Sequence, residues 1–552
     1  MSTDEKNTAV APSTPYVVDP GVREEARKRR TFAIISHPDA GKTTLTEKLL
    51  LYAGCLNVAG SVRARKNQRA VTSDWMAMER ERGISITSTV LNINYHGFQI
   101  NLLDTPGHQD FSEDTYRTLT AADCAVMVID AAKGIEAQTM KLFKVCALRK
   151  LPIITFINKM DRPGREPLEL LSELEQVLGI GASPLNWPIG TGHEFCGVYD
   201  RAEKKALVFR SVAHGSQMVP TDSASLENAD KPVEGSSSSE PLLNPELLAR
   251  LKSEIELLDG AGVPFDLEKF HRGEVSPVFF GSALTNFGIE PFLSAFLKLC
   301  PSPTPRLSNL GAVPVDRGEF GGFIFKIQAN MDPRHRDRIC FVRVCSGRFA
   351  RDMTVLHPRS GDSIRISRSH RLFAQNRESV DESYPGDIIG LVNPGNFHLG
   401  DTICEGKPIE YQGMPQFSPE HFAILSCHET LRRKQFDKGL AQLVEEGAIQ
   451  ILNDPNALRR EPILAAVGQL QFDVVQYRLE SEYGAKTNIQ RMPYKLARWV
   501  EGTEADIENM ELPTNAVKTI DHFGHVVVLF GAEWDMEYCK KQNPKVQLKA
   551  VR

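Results

Sequence analysis

The residues with the clearest chemical potential form the segment Ser36-His-Pro-Asp-Ala-Gly-Lys-Thr43. It follows an apolar run and opens an amphipathic run at 42–52, so we expect a strand, a loop and a helix. In that setting the N–H groups of the loop can surround a phosphate, Lys42 can neutralise the β and γ oxygens, and the Thr43 hydroxyl can bind Mg²⁺. The segment therefore predicts a P-loop, although Ser36 replaces its usual first glycine; the alternative is a chance Gly-Lys-Thr at a helix start. The residues expected to contact nucleotide here are Ser36, His37, Pro38, Asp39, Ala40, Gly41, Lys42, Thr43 and Thr44.

A second motif, Asp104-Thr-Pro-Gly-His108, follows the predicted strand at 99–103. Asp104 stands where a carboxylate can hold Mg²⁺, usually through water, and Gly107 has no side chain to keep its N–H from a γ-phosphate. Alone the motif could be an ordinary turn, but its place about 60 residues after a P-loop favours the nucleotide site. The expected nucleotide contacts of this motif are Asp104, Thr105, Pro106, Gly107 and His108.

The third motif, Asn158-Lys-Met-Asp161, indicates which base is bound. Asp161 can accept from guanine N1–H and the exocyclic amine, a pair that adenine lacks, and Asn158 can bind the O6/N7 side. The stem of Lys159 can cover the base face. A backbone N–H of the later segment Gly281-Ser-Ala-Leu284 can donate to O6, so the ligands predicted are GTP and GDP. The expected base-pocket residues are Asn158, Lys159, Met160, Asp161, Ser282, Ala283 and Leu284.

The elements that carry these motifs predict an α/β fold. Apolar runs at 124–129, 152–157 and 277–280 alternate with amphipathic segments, which is typical of a mostly parallel sheet with helices on both faces. Each motif follows a strand, and the carboxyl ends of parallel strands meet at one edge of the sheet, where such folds bind ligands. We therefore expect a P-loop GTPase domain.

The rest of the chain predicts two further domains and a flexible start. The sequence PSPTPR at 301–306 cannot continue a helix and marks the first boundary. Short strand-like segments after it predict an antiparallel β-barrel, and amphipathic segments at 434–451 and 468–483 place helices in an α+β domain. The predicted division is a flexible N-terminus at 1–21, a GTP-binding domain at 22–300 with an exposed insertion at about 214–245, a barrel at 307–408 and an α+β domain at 409–552.

Three features of these motifs resemble the translational GTPases, the family of the elongation and initiation factors. They are His-Pro-Asp within the P-loop, Arg82-Gly-Ile-Ser-Ile86, and the histidine after Asp-Thr-Pro-Gly. The stretches FKIQANMDPRHRDR and GQLQFDVVQYRLESEYG extend the resemblance into the two later domains, and it is strongest to members that act in termination.

The resemblance implies roles for individual residues. His108 matches the histidine that positions the attacking water, and with Lys42 and Gly107 it forms the expected catalytic set. The family's Mg²⁺-binding threonine falls on Ser85, with Thr87 as a nearby alternative, so the expected metal ligands are Thr43, Ser85 and Asp104. Phosphoryl transfer depends on such orientation and charge neutralisation more than on covalent chemistry. For His108 the alternative is an exposed histidine without function.

The resemblance also implies a ribosome-stimulated GTPase in translation termination, which helps class I peptide chain release factors to leave after peptide release. Ribosomal RNA at the GTPase-activating centre would stimulate hydrolysis. An elongation-type factor is a second interpretation, although this chain ends before the additional C-terminal domains such a factor would need. A GTP-binding regulatory module without stimulated hydrolysis has no need of His108, and an ATP-driven enzyme conflicts with Asp161.

Composition places the protein among ordinary soluble chains of the cytoplasm. It has 552 residues, 41% hydrophobic and 24% charged, with a formal net charge of -5, which excludes a globally basic nucleic-acid coat. The ten cysteines have no metal-site spacing and fit reduced thiols. No apolar run approaches the length of a membrane span, so we expect no membrane partner. We also expect a monomer away from the ribosome.

One stretch departs from the acidic total. Residues 331–377 hold 11 arginines and no lysine against 4 aspartates and no glutamate, a charge of about +7. Arginine forks suit phosphate oxygens, so the stretch predicts contact with ribosomal RNA. The alternative is a solvated face whose arginines pair locally with the interspersed aspartates.

Overall fold

The first domain is built on a seven-stranded sheet. The computed structural model describes residues 16–54, 87–210, 218–219, 221–231, 241–329, 338–373, 376–393, 395–427, 429–455 and 461–552. The strands of this domain are β1 (Arg29–Ser36), β2 (Thr89–Tyr95), β3 (Phe98–Asp104), β4 (Cys124–Asp130), β5 (Ile153–Asn158), β6 (Gly181–Pro184), β7 (Asn186–Ile189), β8 (Gly197–Asp200), β9 (Lys205–Phe209), β10 (Thr221–Ser225) and β11 (Val275–Phe280).

The order of the large sheet is β2-β3-β1-β4-β5-β11-β6. Every neighbouring pair is parallel except β2 with β3. The carboxyl ends of β1, β3, β5 and β11, which lead into the predicted motifs, therefore lie at one edge, as the sequence predicted. Strands β7 to β10 form a separate antiparallel sheet.

Helices cover both faces of the large sheet, because successive residues of a strand point to opposite sides. Ile34 and Val126 pack with Leu45 and Phe292 on one face. Ala33 and Met127 pack with helical residues such as Leu142 and Leu170 on the other. The helices described here are α1 (Pro20–Arg27), α2 (Lys42–Tyr52), α3 (Ser112–Leu119), α4 (Ala137–Leu148), α5 (Pro167–Leu178), α6 (Pro245–Ala261), α7 (Leu267–His271) and α8 (Ile289–Leu299).

Two predictions for this region need correction. Residues 16–21 are not a free N-terminus: Val18 forms a β-bridge with Arg317, and the Asp19 N–H donates to the carbonyl of Asp316 at 2.8 Å. The range 214–245 is not wholly an exposed insertion, since β10 pairs with β9 and Leu243 is buried. Backbone pairing can order a polar strand whose composition alone predicts a loop. Residues 1–15 and the remainder of that insertion (211–217, 220 and 232–240) lie outside the described residues.

The second domain is an eight-stranded antiparallel sheet in the order β18-β17-β23-β14-β15-β22-β19-β20. Val355, Val380, Ile389 and Ile403 come from distant parts of this sheet and meet in one core, as expected for a barrel-like curvature. The strands from the linker onward are β12 (Arg306–Ser308), β13 (Gly311–Val313), β14 (Gly321–Ala329), β15 (Arg338–Ser346), β16 (Phe349–Ala350), β17 (Thr354–His357), β18 (Asp362–Arg365), β19 (Ser369–Phe373), β20 (Asn376–Ser379), β21 (Glu382–Ser383), β22 (Ile388–Val392) and β23 (Thr402–Cys404).

The third domain is α+β, with a second eight-stranded antiparallel sheet in the order β27-β24-β26-β25-β29-β30-β28-β31. Its strands are β24 (His421–Cys427), β25 (Gln450–Asn453), β26 (Ile463–Ala466), β27 (Thr487–Arg491), β28 (Leu496–Glu501), β29 (Ala516–Asp521), β30 (Val526–Phe530) and β31 (Gln547–Lys549). Its helices are α9 (Arg433–Glu445), α10 (Leu470–Tyr483), α11 (Glu504–Glu508) and α12 (Glu533–Gln542).

The helix predicted at 434–451 is too long by about a turn and a half. Helix α9 ends at Glu445, and Gly447 adopts a left-handed φ of 71°. Its N–H donates to the carbonyl of Val444, and the N–H of Ala448 donates to that of Leu443, the pattern of a glycine-terminated helix. The residues after the turn enter β25.

The first and second domains are joined by buried polar contacts. Arg343 donates to Asp123 at 2.6 Å and to the carbonyl of Gly386 at 2.8 Å. Thr31 donates to the same carbonyl at 2.6 Å, and Arg29 donates to Asp387 at 3.0 Å. Since β1 contains both Arg29 and Thr31, this interface contacts the strand that leads to the P-loop. Within the described ranges, no helix is long and apolar enough to cross a membrane.

Candidate nucleotide site

The P-loop has the predicted setting between β1 and α2. Gly41 directly precedes the helix with a left-handed φ of 99°, and Asp39 has a φ of 66°. A Cβ built on Gly41 would lie 2.2 Å from Nδ2 of Asn158, so both the backbone angle and the space at this position require glycine. Residues 42–52, predicted as a helix, form α2 with those bounds.

The charged centre of the site is a pair of buried groups from two motifs. Nζ of Lys42 lies 2.5 Å from Oδ1 of Asp104, and the residues are 7% and 2% exposed. Oδ2 of Asp104 is buried without a hydrogen-bond partner among the described residues. A buried carboxylate with a free oxygen suits a cation or a water held by one. The P-loop and the second motif therefore meet around one acidic group.

Asn158 joins the third motif to its neighbours through its amide. Nδ2 donates to the carbonyl of Ala40 at 2.8 Å, and Oδ1 accepts the N–H of Ala283 at 2.9 Å. The side chain is buried, and it connects the P-loop, β5 and the segment after β11. Asn158 thus has an architectural task in the pocket, which the sequence did not reveal.

Lys159 makes a second connection between the same loops. Its Nζ donates to the carbonyl of Asp39 at 2.5 Å and to Oδ2 of Asp130 at 2.7 Å. Burial is the largest single effect on the pKa of Asp130 and raises it, but the hydrogen bonds from Lys159 and from the N–H of Ala132, together with the charges of Lys159 and Lys133, bring that pKa below its ordinary value. Asp130 ends β4 at the same sheet edge; its position after an apolar run was the signal that could have identified it.

Asp161 is the group best placed to recognise a ligand on the base side. Its Oδ1 is buried and has no hydrogen-bond partner within the described part of the chain. Beside it, Met160 is buried and its N–H donates to the carbonyl of Gly281 at 3.2 Å, which ties the third motif to the fourth. Ser282 is buried, whereas Leu284 is 48% exposed at the rim. An unpaired buried carboxylate oxygen is expected to accept a donor from a bound molecule.

The second motif packs against the P-loop at Gly107. A Cβ on this glycine would lie 3.7 Å from Cα of Pro38. The following residue, His108, has a 31% exposed side chain whose Nδ1 lies 3.3 Å from the backbone N of Asp110. Thr105 donates to the carbonyl of Ile34 at 2.6 Å, which anchors the start of the motif beside β1. The motif therefore contacts the P-loop, and the side chain of His108 is partly exposed.

The structure describes only some of the remaining residues predicted for the site. Nε2 of His37 lies 3.2 Å from Oε1 of Glu136, an acidic partner that the sequence did not single out. Ser85 and the rest of 82–86 lie outside the described residues. Thr87 lines a small cavity between the three domains, with Arg117, Lys326 and Gln471 among its neighbours. The choice between Ser85 and Thr87 as a metal ligand stays a prediction.

The arginine-rich stretch is less free than its count suggests. Arg343 is buried in the interface with Asp123, so this member of the arginine-rich stretch is not part of an exposed basic surface. Further ion pairs join Arg338 to Glu445, Arg348 to Glu382, Arg351 to Asp381, Arg359 to Asp401 and Arg365 to Asp352. Arg334 and Arg336 lie outside the described residues. The described arginines thus pair extensively, largely with carboxylates from beyond the stretch.

Comparison with protein families assigns a description to each of the three regions. "Elongation factor Tu GTP binding domain" matches residues 27–302, "Elongation factor G domain 2" matches 319–406, and "Class II release factor RF3, C-terminal domain" matches 411–540. The first match covers the four motifs described above. The predicted domain boundaries themselves stay a prediction.

Curated proteins similar over nearly the whole chain are called peptide chain release factor 3. One from Gloeobacter violaceus is 55% identical over 97% of this chain and 99% of its own length. One from Acaryochloris marina is 54% identical over 97% and 98%, respectively. A solved structure from Thermus thermophilus covers 87% of this chain and 71% of its own with a TM-score of 0.67; at 21% identity it supports the fold alone.

Proposed function

Because this chain belongs to the translational GTPases and, among them, to the peptide chain release factor 3 proteins, we propose that it hydrolyses GTP on the terminating ribosome and thereby promotes the departure of class I release factors. Guanine-nucleotide binding, GTP hydrolysis and action at the ribosome in termination follow from the family. We further propose which residues carry these steps and which partners act besides the ribosome.

The observation that carries the nucleotide assignment is the buried, unpaired Oδ1 of Asp161. Guanine would satisfy this acceptor with N1–H or its exocyclic amine, whereas adenine has no such donor pair. Asn158 shapes the pocket through its bonds to Ala40 and Ala283, and the stem of Lys159, whose amino group is held by Asp130, would cover one face of the base. The base would be read by one free acceptor in a pre-organised pocket.

On the phosphate side, Lys42 would leave its contact with Asp104 to neutralise β and γ oxygens. The Thr43 hydroxyl and the free oxygen of Asp104 fit Mg²⁺, with Ser85 as the expected third ligand, because hard oxygen donors suit this ion. When bound, Mg²⁺ would neutralise charge on the β- and γ-phosphates.

His108 and Gly107 are proposed to act on the γ-phosphate side. The backbone N–H of Gly107 can approach a γ oxygen because no Cβ intervenes. His108 would orient the attacking water, a positioning role that suits the loose transition state of phosphoryl transfer. The approach of Gly107 to Pro38 supports a shared pocket for the two motifs.

The proposed partners are class I peptide chain release factors and ribosomal RNA at the GTPase-activating centre, and the proposed location is the cytoplasm. Exposed arginines on the second domain, among them Arg348 and Arg365 with side chains 53% and 70% exposed, offer phosphate-binding forks despite their ion pairs. We propose that the protein is monomeric away from the ribosome.

The test is GTP turnover by the purified chain, measured alone, with ribosomes and with ribosomes that hold a class I release factor after peptide release. We expect slow hydrolysis alone, strong acceleration by ribosomes, and faster dissociation of the bound release factor with GTP than with GDP. A His108→Ala variant should keep GTP binding and lose the acceleration. Release-factor dissociation that ignores the added protein would contradict the proposed termination step.

A further inference from the structure

The segment that follows His108 touches another domain. Residues Gln109–Phe111 form one turn of 3-10 helix, and Asp110 within it is 9% exposed. Its Oδ2 accepts the backbone N–H of Leu470 at 2.7 Å, a contact that spans 360 residues of sequence. The first domain therefore meets the third domain two residues after the proposed catalytic histidine.

The two segments pack closely at this contact. Leu470 is the first residue of α10, and Gln469 before it offers no side-chain cap, so Asp110 supplies the carboxylate that a helix N-terminus favours. A Cβ on Gly468 would lie 2.3 Å from Cβ and 2.4 Å from Cα of Asp110. Only a glycine allows that approach without movement of the backbone.

An apolar contact lies beside this hydrogen bond. Phe111 is 6% exposed and Val474 is 5% exposed, and they pack together with Leu470 beside them. Phe111 comes from the turn after His108, whereas Leu470 and Val474 come from α10. Asp110 thus lies between a hydrogen bond to the third domain and a buried hydrophobic contact, and both hold its position.

Asp110 also holds the ring of His108. Nδ1 of His108 accepts the backbone N–H of Asp110 at 3.3 Å and lies 3.4 Å from its Oδ1. A neutral ring in this contact carries its proton on Nε2, and a protonated ring can donate from Nδ1 to the carboxylate. In both states Asp110 satisfies Nδ1 and leaves Nε2–H for the reaction, much as a third group orients the base in other enzymes.

We propose that Asp110 is a positioning residue for His108 and that the turn Gly468–Leu470 of the third domain holds Asp110 in place. Hydrolysis is then coupled to the docking of the third domain, because a shift of that turn removes the support of the histidine. This inference rests on the proposed role of His108 in orienting water.

The experiment measures ribosome-stimulated GTP hydrolysis by full-length variants, with kcat separated from the KM for ribosomes. Asp110→Ala and Gly468→Ala are expected to lower kcat about tenfold or more, the loss that follows from one hydrogen bond to a charged group. GDP affinity should stay within about twofold, since both changes lie outside the base pocket. Asp110→Asn should recover much of kcat, because the amide oxygen can still accept the N–H of Leu470. Gly413→Ala is the matched control, as a Cβ there meets no atom within 4 Å.

A double variant separates positioning from mere structural damage. If Asp110 acts through His108, the His108→Ala/Asp110→Ala protein should be no slower than His108→Ala alone. Losses that multiply, or an Asp110→Ala protein with normal kcat, would overturn the inference. If His108→Ala itself left the stimulated rate intact, the proposed function of His108 would fail instead, so the two failures are distinguishable.

Discussion

The two ends of the nucleotide site are held in different ways. At the base end, Asn158 and Lys159 bond to the P-loop, to Ala283 and to Asp130, all within the first domain. At the phosphate end, the segment after His108 is held by Leu470 of the third domain. With the proposed roles of these residues, recognition of guanine would be complete before the domains are arranged, whereas hydrolysis would depend on the arrangement.

Further contacts near the phosphate end also cross domains. Arg117 of α3 donates to the carbonyl of Gly447 at 2.9 Å, and Lys326 of β14 donates to the carbonyl of Ser88. A factor that binds nucleotide in solution and hydrolyses it faster on the ribosome would gain from this division. A rigid pocket retains the ligand, while rearrangement of domains can control the reaction.

The largest effect is expected at the phosphate end, from the buried pair of Lys42 and Asp104. Lys42→Ala should lower GTP hydrolysis by about two to three orders of magnitude, because it removes a preorganised positive charge from the phosphates. It should also weaken GTP binding and leave Asp104 buried without its partner. Single-turnover hydrolysis and equilibrium binding would measure both effects, with the exposed Lys141→Ala as control. Unchanged GTP affinity would contradict the assignment of Lys42.

The next effect concerns the interface of the first two domains. Arg343→Ala should lower the free energy of unfolding by about 3–5 kcal/mol, because Asp123 would keep a buried carboxyl group without its ion pair. Denaturant unfolding would measure it. Arg348→Ala, whose pair with Glu382 is half exposed, should change stability by at most about 1 kcal/mol. If the comparison holds, GDP affinity of the folded Arg343→Ala protein should match that of the unsubstituted chain; a large loss would mean that the base end also needs the second domain.

Asp161→Asn tests the base end directly. We expect the preference for GTP over ATP to fall about tenfold to a hundredfold, since an amide replaces the acceptor for guanine donors. Competition binding with the two nucleotides would measure the change. Ribosomes should still accelerate the hydrolysis of the GTP that remains bound. An unaltered preference would remove Asp161 from base recognition.

The smallest effect is a pH dependence that comes from Asp130. Its pKa is lowered in the folded protein, because the hydrogen bonds from Lys159 and the Ala132 N–H and the nearby lysine charges together exceed the opposing effect of burial. Its contribution to stability is therefore present above the ordinary aspartate range and is lost as the pH falls through the folded pKa. Unfolding followed from neutral to acidic pH should show a flatter profile for Asp130→Asn. Identical profiles for the two proteins would argue against the contact between Asp130 and Lys159.

Local features of the fold followed well from the sequence, and their failures have physical causes. The helix at 42–52 was predicted with its observed bounds, because its helical pattern and Gly54, which can end it and has a left-handed φ of 73°, are both local signals. The helix at 434–451 was predicted too long, because Gly447 fits a helix pattern by spacing but ends α9 in a left-handed turn. Strand β10 was missed, since its order comes from pairing with β9 rather than from apolar residues.

For the site, the sequence by itself determined the order of the four motifs and the family, and it predicted the chemistry of those motifs. That information is local, because strand, loop and helix succeed one another within a few residues of each motif. Only the tertiary structure decided that Asn158 joins two loops, that Arg343 is buried against Asp123, and that Asp110 meets Leu470. Such pairs lie far apart along the chain, and their contact depends on how whole strands and domains pack. No spacing in the sequence could therefore have predicted them.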